Sequence, residues 1–132
     1  MQQDLSHWHV LVVDDEPDNL GVMELVLKFH KAAVRTAASG LECLQLMTEE
    51  APTLLLVDIQ MPEMSGLELL EKIRENVDWQ HIPVIAVTAH AMIGDSDRFT
   101  SAGFDGYIAK PITAITFVSE VQSMIGTKIK SV

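Results

Sequence analysis

Acidic, hydroxyl and ammonium side chains follow four apolar runs of this sequence. They are Asp14, Asp15 and Glu16 after HVLVV, Asp58 after LLLV, Thr88 after PVIAV, and Lys110 after GYIA. If they meet, the carboxylates repel one another unless a cation is present. Mg²⁺ is the expected cation, because it binds one or two carboxylates, keeps waters and often bridges to phosphate oxygens. A hydroxyl and an ammonium beside it could bind a phosphoryl group, which a remaining carboxylate could accept as a nucleophile.

Each of these residues also has an ordinary structural interpretation. A lone Asp after a strand is usually a helix cap or a turn residue, because its side chain accepts from free N–H groups. A lone Thr after a strand is more often structural still, and Lys-Pro is a common turn. Acidic groups at two strand ends, with a hydroxyl at a third and a lysine at a fourth, favour one shared site.

The elements that must bring these side chains together can be read from the apolar pattern. Continuous apolar runs predict strands buried on both faces at 9–13, 54–57 and 83–87, and weaker runs predict strands at 33–37 and 106–109. Helices are expected from Pro17, after the capping-box pairs Ser39/Glu42 and Ser65/Glu68, and at 91–102 and 113–125.

The resulting order, βαβαβαβαβα, predicts an α/β fold. Five alternating βα units form a doubly wound, five-stranded parallel sheet with helices on both faces. Ligands in such folds bind at the carboxyl ends of the strands, near a topological switch point. The polar residues named above lie at those ends.

Length and composition limit the possible functions. The chain has 132 residues, which predicts one domain over 1–132 with a core of about 9–126 and short tails. The net charge of −10 opposes direct binding of nucleic acid. No apolar run is long enough to span a bilayer, and the single Cys43, expected as a small apolar side chain on a helix, excludes an internal disulfide. These features favour the cytoplasm.

Four segments carry a resemblance to a known family. The segments VLVVDDEPDN, LLLVDIQMPEMSGLELL, IPVIAVTAHAM and GYIAKPI resemble the receiver domain of two-component response regulators, over about residues 10–125. Thr88 follows Asp58 by 30 residues and precedes Lys110 by 22, which supports the resemblance. The sequence is most similar to free-standing receivers and to the receivers of hybrid histidine kinases. The resemblance implies the flavodoxin-like, CheY-like three-layer sandwich.

The resemblance also implies roles for the residues at the strand ends. Asp58 would be the phosphoacceptor, taking a phosphoryl group from a phosphohistidine on a histidine kinase or a histidine phosphotransfer protein. Asp15, Asp58 and the backbone carbonyl of Gln60 would bind Mg²⁺, with Asp14 acting directly or through water. A receiver of this kind promotes its own phosphorylation and dephosphorylation and is not a classical enzyme.

Further roles concern the response to phosphorylation. Thr88 would close on the phosphoryl oxygens, Lys110 would pair with the phosphate, and Tyr107 would be the aromatic switch residue. Gln60, Ala89 and His90 would flank the phosphate, although an exposed loop histidine is the slightly favoured interpretation of His90. Pro111 would sit at a turn, with a cis bond to Lys110.

The expected output is a changed surface on the fourth helix, fifth strand and fifth helix, which would bind a downstream protein effector. The candidates for exposed residues on that surface are Met92, Ile93, Arg98, Tyr107 and Phe117. Few residues follow Lys110, so output is expected through a partner protein, and a free-standing chain is favoured over a piece of a hybrid kinase.

Three other classes of protein remain as alternatives. A haloacid-dehalogenase-like phosphatase would need a second Asp where this chain has Gln60, and a longer core. A flavodoxin-like electron carrier would need a Ser/Thr/Gly-rich loop for the flavin phosphate in place of DDEPDN. A phosphorylation-independent interaction module on the same fold is the third alternative.

Overall fold

The computed structural model of the protein describes residues 4–89 and 95–125. Its strands are β1 (His9–Val13), β2 (Ala33–Ala37), β3 (Leu54–Asp58), β4 (Val84–Thr88) and β5 (Gly106–Ala109). Its helices are α1 (Pro17–Phe29), α2 (Gly40–Glu49), α3 (Gly66–Glu75), α4 (Asp95–Ala102) and α5 (Phe117–Ile125). A short 3-10 turn at Val77–Trp79, which the sequence pattern did not predict, joins α3 to β4.

The five strands form one parallel sheet in the order β2-β1-β3-β4-β5. The predicted doubly wound (βα)₅ fold is therefore confirmed. The chain moves outward from β1 in both directions, so the switch point lies between β1 and β3. No helix within the described residues is long and apolar enough to cross a membrane.

Alternate strand residues pack into two apolar layers. On one side Val10 and Val12 pack in a cluster with residues of α1 and α5, and on the other Leu11 and Val13 pack in a cluster with residues of α2, α3 and α4. Burial on both faces explains why β1, β3 and β4 read as continuous apolar runs in the sequence. The same alternation decides which of the two layers each strand residue enters.

Helix α2 supplies the single cysteine to the second layer. Cys43 has no exposed surface, and its Sγ lies 3.9 Å from Sδ of Met47. Burial raises the pKa of the Cys43 thiol to about 12. The expectation of a small apolar side chain on a helix is thus confirmed.

Helix α5 differs from its sequence prediction in two respects. The backbone N–H of Phe117 donates to Thr113 at 2.9 Å, but residues 114–116 form a turn, and the regular helix begins at Phe117 rather than near 113. Phe117 was predicted to be exposed on the output surface, and this was wrong. Its side chain is 1% exposed, because the apolar stripe of α5 includes it together with Val118, Val121 and Ile125.

The residues before β1 also belong to the packed part of the chain. Leu5 and Trp8 are buried in the layer formed with α1 and α5. The backbone N–H of Leu5 donates to His30 at 2.7 Å, and that of Ala33 donates to Trp8 at 3.0 Å. This segment therefore covers the end of α1 and the start of β2, a role that MQQDLSHWHV did not reveal.

One arginine holds the starts of β4 and β5. The guanidinium of Arg74 on α3 donates to the carbonyl oxygens of Ile82 at 2.8 Å and Gly103 at 3.2 Å, and to Asp105 Oδ2 at 3.3 Å. Asp105 Oδ2 also accepts from the N–H of Val84 at 2.8 Å. These contacts fix the two strands whose opposite ends carry Thr88 and Lys110.

Candidate functional site

The sheet brings the predicted acidic residues to one edge. Asp14 directly follows β1, and Asp58 is the last residue of β3, the neighbouring strand, where Val13 pairs with Val57. Asp14 and Asp58 are almost fully buried, whereas Asp15 is exposed. Carboxylate oxygens of the three residues lie within 4.8 Å of one another. The convergence predicted from the strand ends is thus present.

Lys110 reaches this cluster from β5. Its Nζ lies 3.0 Å from Asp14 Oδ2 and 3.3 Å from Asp58 Oδ1, and its side chain is 13% exposed. The backbone N–H of Lys110 donates to the carbonyl of Thr88 at 2.8 Å. The peptide bond from Lys110 to Pro111 is cis, as predicted from the resemblance. One ammonium therefore faces two buried carboxylates.

The oxygen atoms of Asp14 provide a test of whether a cation fits. Asp14 Oδ1 accepts from the backbone N–H of Glu16 at 2.9 Å. Asp14 Oδ2 is buried, and its close partner is the ammonium of Lys110, which forms an ion pair with it at 3.0 Å. One ammonium shared between Asp14 and Asp58 leaves this pair of buried carboxylates with a net negative charge, which is costly. Asp14, Asp15 and Asp58 each offer one carboxylate oxygen here. This set of oxygen donors fits a hard divalent cation such as Mg²⁺.

A cavity of about 340 Å³ opens beside the acceptor candidate. It is lined by Glu16, Asn19, Asp58, Gln60, Ala89, Lys110 and Pro111. Sequence reasoning missed Asn19, whose amide donates to Glu16 Oε2 at 3.4 Å from the first turn of α1. A polar residue three positions after the acidic run was the available signal. A larger cavity of about 520 Å³ lies between α1 and α5, but its lining is mainly apolar.

The other predicted residues lie as follows. Thr88 is the last residue of β4 and is 2% exposed, and Ala89 is exposed at the cavity. Gln60 is exposed, and its backbone N–H donates to Asp58 Oδ1 at 3.3 Å. Tyr107 is half-buried on β5, with its ring centroid 5.5 Å from that of Phe99 on α4. His90, with Met92 and Ile93, lies outside the described residues.

Burial and charge act together on the titration of the cluster. Burial and the neighbouring Asp14 carboxylate raise the pKa of Asp58 to about 6, against the opposing attraction of Lys110. Burial alone would lower the pKa of Lys110, but the contacts with Asp14 and Asp58 outweigh it and the pKa of Lys110 is raised. The metal-free site therefore holds an excess of negative charge at neutral pH.

This excess predicts a pH-dependent loss of stability in the metal-free protein. A folded-state pKa of about 6, above the value of 3.8 for a free Asp, favours folding at low pH, and this contribution is lost as the pH rises through 6. Between pH 5 and pH 7.5 we expect the ionisation of Asp58 to lower the free energy of unfolding by about 1 kcal/mol. The measurement is urea unfolding in EDTA for the wild-type and Asp58→Asn proteins. Parallel pH profiles of the two proteins would contradict the assignment.

The fold and the site together define a class of protein. A doubly wound parallel sheet carries a buried carboxylate pair, a facing lysine and a strand-end threonine at its carboxyl edge, next to an open polar cavity. This is the arrangement of a small phosphoryl-accepting domain.

Comparisons with known proteins identify the family. The family described as "Response regulator receiver domain" matches residues 10–122. The polar-differentiation response regulator DivK of Brucella ovis is 39% identical over 117 residues, which cover 89% of this chain and 95% of that protein. The chain belongs to the response regulator receiver domain family, in which phosphorylation of an aspartate and conformational switching are general features.

Solved structures agree with this assignment. A putative response regulator from Chloroflexus aurantiacus superposes with a TM-score of 0.80 at 30% identity, covering 89% of this chain and 97% of that one. The chemotaxis protein CheY4 of Vibrio cholerae superposes with a TM-score of 0.81 at 22% identity, covering 94% of this chain and 99% of that one, and is similar in fold. The family match leaves no support for the phosphatase and flavin-carrier alternatives.

Proposed function

We propose that Asp58 is the phosphoacceptor of this receiver and takes its phosphoryl group from a phosphohistidine on a histidine kinase or phosphotransfer protein. One observation carries the proposal. The buried Asp58 carboxylate lies 3.3 Å from Lys110 and at the wall of an open cavity of about 340 Å³. A nucleophile must be reachable from solvent by its donor, and no other buried carboxylate among the described residues lines this cavity.

The chemistry is a transfer between two covalent phosphoryl carriers. A carboxylate oxygen of Asp58 attacks phosphorus, the P–N bond to the donor histidine breaks, and the bonding electron pair leaves with the imidazole nitrogen, which takes up a proton. The product is an acyl phosphate on Asp58. The ammonium of Lys110, which pairs with the Asp58 carboxylate before the transfer, would pair with the phosphoryl oxygens after it.

Asp14, Asp15 and Asp58, with the backbone carbonyl of Gln60, are the proposed ligands of Mg²⁺. The bound ion would offset the excess negative charge and draw phosphoryl oxygens to the site. The buried Asp14 carboxylate and the close approach of the three carboxylates support this ligand set. Gln60, Ala89 and His90 are the proposed flanking residues that control access of water to the acyl phosphate, and hence the receiver's own dephosphorylation.

The proposed signal is a two-state change that runs from Thr88 to Tyr107. The Thr88 hydroxyl would bind the phosphoryl oxygens, and the Tyr107 ring would move into the space that Thr88 leaves. The surface formed by α4, β5 and α5 would then bind a downstream protein effector. Phosphorylation shifts the equilibrium between the two states only as far as the phosphoryl group interacts more favourably with one state than with the other.

The remaining proposals follow from the family and the composition. The chain forms a single receiver domain over 1–132 that works in the cytoplasm, where one buried cysteine and no disulfide framework are usual. It binds no nucleic acid directly, because its net charge is −10.

A direct transfer assay tests the proposed function. The protein is mixed with acetyl phosphate, or with a phosphorylated histidine phosphotransfer protein, in Mg²⁺ and in EDTA, and the intact mass is followed. Addition of one phosphoryl group in Mg²⁺ alone, released by mild alkali as an acyl phosphate is, supports the proposal. Absence of any mass change with both donors would leave a phosphorylation-independent interaction module as the better description.

Tyr107 allows the switch to be tested apart from the chemistry. The Tyr107→Ala protein is expected to take up phosphate at nearly the wild-type rate, because Tyr107 is not among the residues that line the acceptor cavity. We expect this variant to lose most of the coupling free energy between the acceptor site and α4. Coupling free energies in allosteric proteins are about 1–3 kcal/mol. The measurement is the change in hydrogen exchange over α4 and β5 on adding beryllofluoride and Mg²⁺. Tyr107→Phe keeps the ring beside Phe99 and is the matched control. Equal changes in hydrogen exchange in the wild-type and Tyr107→Ala proteins would exclude the proposed switch role.

A further inference from the structure

The start of helix α3 packs directly against the backbone of the acceptor residue. Gly66, the first residue of α3, is buried, and a Cβ added to it would overlap the carbonyl oxygen of Asp58 and lie 2.8 Å from the Cα of Ile59. Both neighbours are main-chain atoms, so neither can rotate away. Only a residue without a side chain leaves room for this contact.

The other glycines for which the structure gives surroundings differ in this respect. A Cβ at Gly40 or Gly106 would meet the flexible side chains of Met64 or Met124, and one at Gly21 would meet nothing within 4 Å. Gly103 has a φ of 113° and would touch only Leu70. Of these glycines, Gly66 is therefore the one at which an added Cβ would overlap main-chain atoms, and those atoms belong to Asp58 and Ile59.

The same contact closes the loop between β3 and α3. The backbone N–H of Gly66 donates to Ile59 at 2.9 Å, and the N–H of Ile59 donates to Val87 on β4 at 3.1 Å. Ser65 and Glu68 form a capping box that fixes the first turn of α3. Gln60 lies within this closed loop, one residue after Ile59. The position of its carbonyl oxygen is thus set by how closely α3 approaches Asp58.

We infer that Gly66 is a positioning residue for the phosphorylation reaction, which seats α3 on the backbone of Asp58 and so holds the Gln60 carbonyl and the Asp58 carboxylate in place for the divalent cation. The inference rests on the proposed function. Replacement of Gly66 by alanine moves α3 and the acceptor strand apart. Outer-sphere changes of this kind lower metal affinity by about 10- to 100-fold.

Mg²⁺ titration of folded protein by calorimetry is the test. Gly66→Ala is expected to bind Mg²⁺ about 10- to 100-fold more weakly than wild type, with a matching rise in the Mg²⁺ concentration that half-saturates phosphoryl uptake from acetyl phosphate. Gly21→Ala, with open space around its new methyl group, is the matched control and keeps the wild-type affinity. A purely structural role would lower the free energy of unfolding without changing Mg²⁺ affinity.

A second variant covers the case in which Gly66→Ala folds poorly. Ser65→Ala removes the cap at the same junction and adds no atom, and it is expected to weaken Mg²⁺ binding in the same direction by a smaller factor. Wild-type Mg²⁺ affinity in both variants would overturn the inference while leaving the proposed function intact. Failure of the wild-type protein to bind Mg²⁺ or to take up phosphate would overturn both.

Discussion

The Asp58→Asn protein is expected to take up no phosphoryl group from acetyl phosphate or from a phosphohistidine donor. The nucleophile in the proposed transfer is a carboxylate oxygen, and the neutral amide that replaces it is too weak a nucleophile to attack phosphorus. The same change should leave the fold intact, because the pKa of Asp58 is already raised to about 6 and the site accepts a neutral group there. Intact-mass measurement after incubation with each donor reads the result directly.

A second aspartate provides the control for this experiment. Asp78 is exposed in the 3-10 turn that precedes β4, at the opposite end of that strand from Thr88. Asp78→Asn removes one carboxylate from the chain without touching the cavity, and it should be phosphorylated at the wild-type rate. Uptake by Asp58→Asn at the rate of Asp78→Asn would require another acceptor.

The largest expected effect on stability comes from Lys110. The Lys110→Met protein leaves two buried carboxylates, Asp14 and Asp58, without their ammonium partner. Removing one side of a buried ion pair costs about 3–5 kcal/mol, and we expect about 3 kcal/mol here because Asp58 can take up a proton in response. Urea unfolding at pH 7.5 in EDTA measures the loss, and added Mg²⁺ should recover part of it.

Lys28→Met is the matched control for this stability measurement. Lys28 lies 2.8 Å from Glu24, but the two side chains are 56% and 35% exposed, so the loss should be below about 0.5 kcal/mol. The double variant Asp58→Asn/Lys110→Met should be more stable than the sum of the single changes implies, because the neutral amide at position 58 removes one of the two buried carboxylates that Lys110→Met leaves unpaired. Similar losses in Lys110→Met and Lys28→Met would show that the buried pair contributes little.

Much of the fold and the site was predictable because two physical rules act locally. Strands buried on both faces must be apolar throughout, so β1, β3 and β4 are visible as continuous runs. Parallel strands end at one edge, so Asp14, Asp58 and Lys110 could be placed together from their positions after those runs. Serine caps three residues before a glutamate marked the starts of α2 and α3, and both caps are present.

What the sequence did not reveal depends on contacts between distant segments. Phe117 was predicted to be exposed on the output surface, but α5 buries it in one stripe with Val118, Val121 and Ile125. The role of Gly66 depends on how close α3 comes to Asp58, and spacing along the chain says nothing about that distance. Arg74 and Asp105 are 31 residues apart, and their contact likewise exists only in the folded chain.

The buried thiol of Cys43 makes this receiver convenient for spectroscopy. A thiol without exposed surface and with a pKa of about 12 forms almost no thiolate at neutral pH, and the thiolate is the species that reacts with maleimides and other electrophiles. A cysteine introduced at an exposed position such as Ser101 or Ser119 could then carry a fluorophore or spin label while Cys43 stays in place. Movements of α4 and α5 can therefore be followed without first repacking the interior beneath α2.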